Sequence, residues 1–140
     1  MSIVRYAAVL APQPEGGFTV TFPDLPEAIT EGGTREEALF HAADVLTLCL
    51  EERIESGDAL PTAGPIEGGE WVAPSAAIQA AMAVRTARQA QGHTLAELAR
   101  ALGTSWAAAQ KLESPRANPT LKQLERTASA LGKRLVLSME

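Results

Sequence analysis

Apolar and polar residues alternate with period two along Phe18-Thr19-Val20-Thr21-Phe22, so three aromatic or aliphatic side chains share one face and two threonines the other. Ile3 to Ala11 reads as a strand before it. Between them, Pro12-Gln13-Pro14-Glu15-Gly16-Gly17 is turn chemistry, which makes the pair a hairpin. Pro23-Asp24-Leu25-Pro26 breaks that pattern, and Ala28-Ile29-Thr30 follows as a third short strand. The period then changes. Leu39, Ala42, Ala43, Leu46, Leu50 and Ile54 recur at helical spacing, after a capping box of Thr34 and Glu37 and before a stop at Gly57. Residues 58–70 are rich in Gly and Pro and have no period, and Trp71-Val72 suggests a brief fourth strand.

Beyond Pro74 the pattern is helical. Ser75 N-caps an alanine-rich helix to Gln91, closed by Gly92. Thr94 and Glu97 form a second capping box, opening a helix to Leu102 that Gly103 breaks. A third helix runs from Thr104 or Ser105 to near Glu113, and a fourth from Thr120 to Leu131, stopped by Gly132. In the tail, Leu135, Leu137 and Met139 alternate against Val136, a strand with no nearby hairpin partner. These elements predict an α+β chain of two domains, 1–73 and 74–140. An unpaired apolar strand calls for a partner, so Leu135, Val136, Leu137 and Met139 are expected to join a homodimer, or a tetramer built from it.

Charge sharpens the division. Residues 1–74 hold 3 Lys+Arg against 13 Asp+Glu, a net −10, while residues 75–140 hold 9 against 4, a net +5. The basic half suits a polyanion that the acidic half would repel. No stretch reaches the ~18 to 20 apolar residues of a membrane span. The first residues enter a strand pattern at once, without the layout of a signal peptide. The single Cys49 excludes an internal disulfide, and a cytoplasmic location is expected.

Two short helices around a glycine turn make the core of a helix-turn-helix. Leu98, Ala99, Ala109 and Leu112 take the buried positions, leaving Ser105, Trp106, Ala108, Gln110 and Lys111 outside. Gln110 can pair a donor and an acceptor with a base edge, adenine by preference; Lys111, Arg116 and Asn118 suit phosphates. With Thr94 these residues are the expected DNA-facing set. The stretch "TLAELARALGTSWAAAQKLESPRANPTLKQLERTASALG", residues 94–132, resembles the Xre/Cro-type helix-turn-helix family. Leu95 stands where that family often has a DNA-touching glutamine, and Ala109 replaces a larger aliphatic.

The N-terminal run "YAAVLAPQPEGGFTVTFPDLPEAITEGGTREEAL" resembles the HicB antitoxin domain, and the order of the two halves is similar to antitoxins of its helix-turn-helix subtype. The resemblance implies a truncated ribonuclease-H-like β-β-β-α-β unit followed by an all-α domain with a final short strand. It also implies a partner, a small basic HicA-type toxin that cleaves messenger RNA, and repression of the operon encoding the pair; a twofold dimer is expected to read an inverted-repeat operator.

The acids between residues 24 and 37 admit two readings. Two-metal nuclease chemistry needs carboxylates that converge. Asp24 and Glu27 lie on a Pro-bounded loop, and Glu36 and Glu37 have a local reason in the first turn of a helix. A docking surface for a basic partner fits better, with Asp24, Leu25, Glu27, Ile29 and Glu31 as the expected toxin-facing set. His41, His93 and Cys49 show no metal-ligand spacing, and no enzyme activity, metal or cofactor is expected. The alternative function is a ligand-sensing repressor without a toxin partner, which would need a large polar pocket in the N-terminal sheet.

Overall fold

The alternating segment at residues 18–22 lies in a four-stranded antiparallel sheet in the computed structural model of the chain, which describes residues 3–140. Met1 and Ser2, part of the stretch read against a signal peptide, lie outside the described residues. Strands β1 (Tyr6–Pro12), β2 (Phe18–Thr21), β3 (Ile29–Gly32) and β4 (Glu70–Val72) stand in the order β3-β2-β1-β4. Val20 faces Leu10 on one side and Thr30 on the other, and Tyr6 faces Val72. Directly paired residues point to the same side of a sheet. One face therefore gathers Tyr6, Ala8, Val20 and Val72, all buried together with Phe22. The opposite face carries Thr19, Thr21, Ile29, Glu31 and Trp71.

Helix α1 (Arg35–Glu55) packs chiefly on β3 and β2. Ala38, Ala42, Leu46 and Leu50 are its buried residues, one ridge at four-residue spacing. The Thr34 hydroxyl accepts from the Glu37 N–H at 3.1 Å, half of the expected capping box. Gly32 is required by a close approach. A Cβ there would stand 2.3 Å from the Ala38 nitrogen and 2.6 Å from its Cα, so strand end and helix start touch backbone to backbone.

The aperiodic segment 58–69 is tied down by polar contacts. The Tyr6 hydroxyl donates to the Pro61 carbonyl at 2.7 Å, the Gly64 N–H donates to Asp24 Oδ2 at 3.0 Å, and Arg53 Nη1 donates to the Ala59 carbonyl at 3.1 Å. Burial pushes the Tyr6 phenol pKa up.

The chain falls into two compact units, one ending at Ile78 and one running Gln79–Glu140. The boundary lies inside α2 (Ala76–Ala90), a turn beyond the expected 73/74 division. The second unit continues with α3 (Leu95–Leu102), α4 (Trp106–Lys111) and α5 (Leu121–Ala130). Val84, Leu98, Ala99, Ala109 and Leu131 form its core, with Ala87, Leu102, Leu112 and Leu124 packed against them. Residues 133–140 form no strand, contrary to the expected final strand. Extended backbone becomes a strand only when a ladder partner satisfies it, and this single chain supplies none there. Leu135 is half-buried, whereas Val136, Leu137 and Met139 are exposed.

Candidate functional site

Local chemistry sets the two helices of the turn. Thr94 and Glu97 cap α3 reciprocally, each side chain accepting from the other's N–H at 3.1 Å. The bond from the Thr94 N–H, ahead of a contribution from the Thr94 side chain, holds the Glu97 carboxyl below its usual range. Gly103 ends α3 in the left-handed region, φ 65° and ψ 36°, where a Cβ is disfavoured. The chain then reverses at once into α4, whose N-cap Ser105 accepts from the Ala108 N–H at 3.1 Å.

Ala109 is buried and Leu112 half-buried, so α4 turns its other side to solvent. Trp106 and Gln110, and Ala107 and Lys111, are i,i+4 pairs on that side, and all four are exposed. Ala107 lies outside the expected DNA-facing set, which took its neighbour Ala108 instead. Ala108, expected to face DNA, is half-buried at the margin. Thr94 and Ser105 are exposed, but each hydroxyl already accepts a capping bond. Arg116 and Asn118 are exposed on the following loop. Asn118 has φ 47°, a conformation asparagine tolerates better than most residues. Its identity thus has a backbone reason as well as a phosphate-binding one.

A largely covered ion pair fixes the end of α4. Arg88 Nε and Nη2 donate to the two Glu113 oxygens at 2.6 and 3.0 Å, and Nη1 donates to the His93 carbonyl at 2.8 Å. The two side chains are only 13% and 10% exposed. Glu113 raises the Arg88 pKa, chiefly by accepting its hydrogen bonds. Sequence reasoning missed the pair because its members are 25 residues apart.

The expected toxin-facing residues do not form one open patch. Leu25 is 0% exposed and belongs to the core. That corrects its assignment as a surface anchor: the tight Phe22–Ala28 turns, with Leu25 N–H donating to the Phe22 carbonyl and Ala28 N–H to that of Leu25, carry its side chain inward. Asp24 accepts from Gly64, Glu27 receives Arg53 at 2.5 and 3.1 Å, and Glu31 receives Gln13 at 3.0 Å. Only Ile29, 58% exposed, remains an open apolar group among the five.

Comparison with known proteins bears on both units. Residues 5–84 match the HicB-like antitoxin of bacterial toxin–antitoxin systems, and residues 84–137 match a helix-turn-helix family. Antitoxin HicB 1 of Photorhabdus laumondii is 34% identical over 137 residues, covering 98% of this chain and 88% of that one. Antitoxin HicB of Escherichia coli K12 is 30% identical over 137 residues, 97% of this chain and 99% of that one. The chain belongs to the HicB-like antitoxin family. Its C-terminal unit is a helix-turn-helix.

Among the described residues, no three His, Cys, Asp or Glu side chains are grouped to hold a metal ion. A concavity of about 390 Å³ lies beside α1, lined by Glu27, Leu48, Cys49, Glu52, Arg53 and Asp58. It is not the sheet pocket a ligand sensor would need, and two of its charges, Glu27 and Arg53, already bind each other. Burial pushes the Cys49 thiol pKa up, away from a reactive thiolate. No described helix is long and apolar enough to cross a membrane.

Proposed function

We propose that the chain neutralises a HicA-type, messenger-RNA-cleaving toxin through its N-terminal unit and represses its own operon through its helix-turn-helix. One observation carries the reading: a single chain joins a carboxylate-rich HicB-like unit to a basic unit whose α4 exposes Trp106, Gln110 and Lys111. A toxin that grips RNA must carry positive charge, and a carboxylate surface competes for the same field. α4 then enters the major groove, Gln110 reading a base edge and Lys111, Arg116 and Asn118 holding phosphates. A homodimer joined through the 134–139 tails, its apolar Val136, Leu137 and Met139 otherwise in water, reads two half-sites about one helical turn apart, ~34 Å. The pair acts in the cytoplasm, where messenger RNA and operator lie.

Co-expression with the neighbouring toxin gene tests the first half. Growth is rescued and the two proteins co-purify; a chain that leaves the toxin active defeats the reading. Footprinting upstream of the gene pair tests the second. An inverted repeat is protected, and deleting residues 133–140 lowers the sedimentation mass and the affinity together.

A further inference from the structure

The outward side of α1 is patterned in a way that core packing does not explain. Glu36, Phe40, Asp44, Leu48 and Glu52 follow one another at four-residue intervals and are all exposed. They form a single ridge, set two residues from the buried ridge Ala38-Ala42-Leu46-Leu50 and so on the opposite side of the helix. Along it, acid and large apolar residues alternate. Phe40 is 67% and Leu48 65% exposed, among the most exposed apolar side chains of the N-terminal unit. At a rise of 1.5 Å per residue they stand ~12 Å apart, each flanked by carboxylates ~6 Å away.

We infer that this ridge is the docking face for the basic toxin, with Phe40 and Leu48 as its two apolar anchors; the inference rests on the proposed antitoxin function. The occupant follows from charge. α1 holds six acidic residues and two arginines, and both arginines are engaged, Arg35 with Glu70 and Arg53 with Glu27. A second copy laid on this face would bring carboxylates against carboxylates. A basic protein with two apolar recesses and Lys or Arg between them meets both features, with Asp44 between the anchors as the central charge.

The ridge is also better suited than the segment 24–31. There Leu25 is buried and the three acids already have partners within the chain. Phe40 is partly held in place: its ring meets the His41 ring edge-on, centroids 6.0 Å apart, and His41 Nδ1 lies 2.8 Å from the Glu31 carbonyl oxygen. A restrained aromatic loses less freedom on binding and makes a stronger anchor.

The test uses the full chain, its Phe40→Ala/Leu48→Ala variant, its Asp44→Lys variant and its Ile29→Ala variant, each titrated with the purified toxin of the neighbouring gene. Alanine keeps the helix favourable, and thermal melting with operator binding reports whether each variant is intact. The double alanine variant weakens toxin binding by on the order of 30-fold per anchor, mainly through faster dissociation. Asp44→Lys slows association at low salt, and Ile29→Ala stays within about twofold of the parent. Should the double variant melt early, Asp44→Lys decides, since it alters an exposed position. An intact double variant that binds like the parent overturns the ridge assignment while leaving the antitoxin function standing, as does a loss confined to Ile29→Ala. A parent chain that does not bind the toxin defeats both.

Discussion

The two units of this chain place their ion pairs differently. In the N-terminal unit Arg35–Glu70 and Arg53–Glu27 lie at the surface, with the four side chains between 28% and 59% exposed. In the helix-turn-helix unit Arg88–Glu113 is nearly sealed. Solvent screens the first two, so each contributes little and the unit rests on its sheet-to-helix core. The largely covered pair has lost much of its hydration and is sustained by three hydrogen bonds, two between its members and one to the His93 carbonyl. The same residue types are therefore tolerant in one unit and critical in the other. That suits the proposed tasks: a unit that docks a basic toxin keeps charge in solvent to attract it, whereas a short helix that reads DNA needs its end held still.

The largest expected effect breaks the N-terminal unit at its backbone contact. Gly32→Ala forces a methyl group against the Ala38 backbone, which has no side chain to swing aside. The cost is about 3 kcal/mol or more. Each unit contains one tryptophan, Trp71 in β4 and Trp106 in α4. In a Trp106→Phe background, Trp71 fluorescence then reports early melting of the sheet. An unchanged midpoint means that strand and helix are not in fact that close.

Next comes the sealed pair. Glu113→Ala leaves the largely covered Arg88 guanidinium without its counter-ion and costs about 1–3 kcal/mol of helix-turn-helix stability. Glu27→Ala, made at an exposed pair, shifts melting by no more than a few degrees. Equal effects from the two variants remove the contrast between the units.

The helical and strand elements were legible in the sequence because their signals are local. Period-two alternation marked β2, and capping pairs marked α1 and α3; the structure contains both bonds of the α3 pair and one of the α1 pair, and adds at α5 a Thr120–Gln123 box that the sequence reading passed over. The HicB-like and helix-turn-helix resemblances were legible for the same reason, from contiguous motifs. What stayed hidden depends on distance in the chain. Arg88 does not announce Glu113, and Gly32 reads as a turn glycine until α1 folds back on it. Leu25 looked like a surface anchor because acids flank it, yet those acids bind partners within the chain and the turns around Leu25 carry its side chain into the core. Phe40 and Leu48 were overlooked because a helical stripe is sought on the core side.

At the α4 surface the effects are smaller. Gln110→Ala lowers affinity for the cognate operator by roughly 1–3 kcal/mol and relaxes base preference at one position. Lys111→Ala weakens all sequences evenly and reduces the salt slope by about one. Competition binding at several salt concentrations separates them. If both variants track the parent throughout, α4 is not the reading helix.

The smallest effect concerns acid stability, and its sign is fixed by two glutamates. The Arg53 hydrogen bonds, ahead of other causes, hold the Glu27 carboxyl below its usual range; the Thr94 N–H does the same for Glu97. A carboxyl that ionises more readily folded than unfolded favours the folded state when charged. Its contribution is complete above the ordinary glutamate value of ~4.3 and is lost as pH falls through the lowered folded value. Acid therefore destabilises both units, but through different residues. Glu27→Gln flattens the acid limb of the Trp71-reported melting curve alone, and Glu97→Gln that of the Trp106-reported curve alone. Both groups are solvated, so each contribution is small; it separates variant from parent above the glutamate range, and the two converge as pH falls through the lowered folded value. Each substitution acting on the other unit's curve would mean that the two units do not melt separately, and the contrast between their ion pairs would then have to be measured on isolated units.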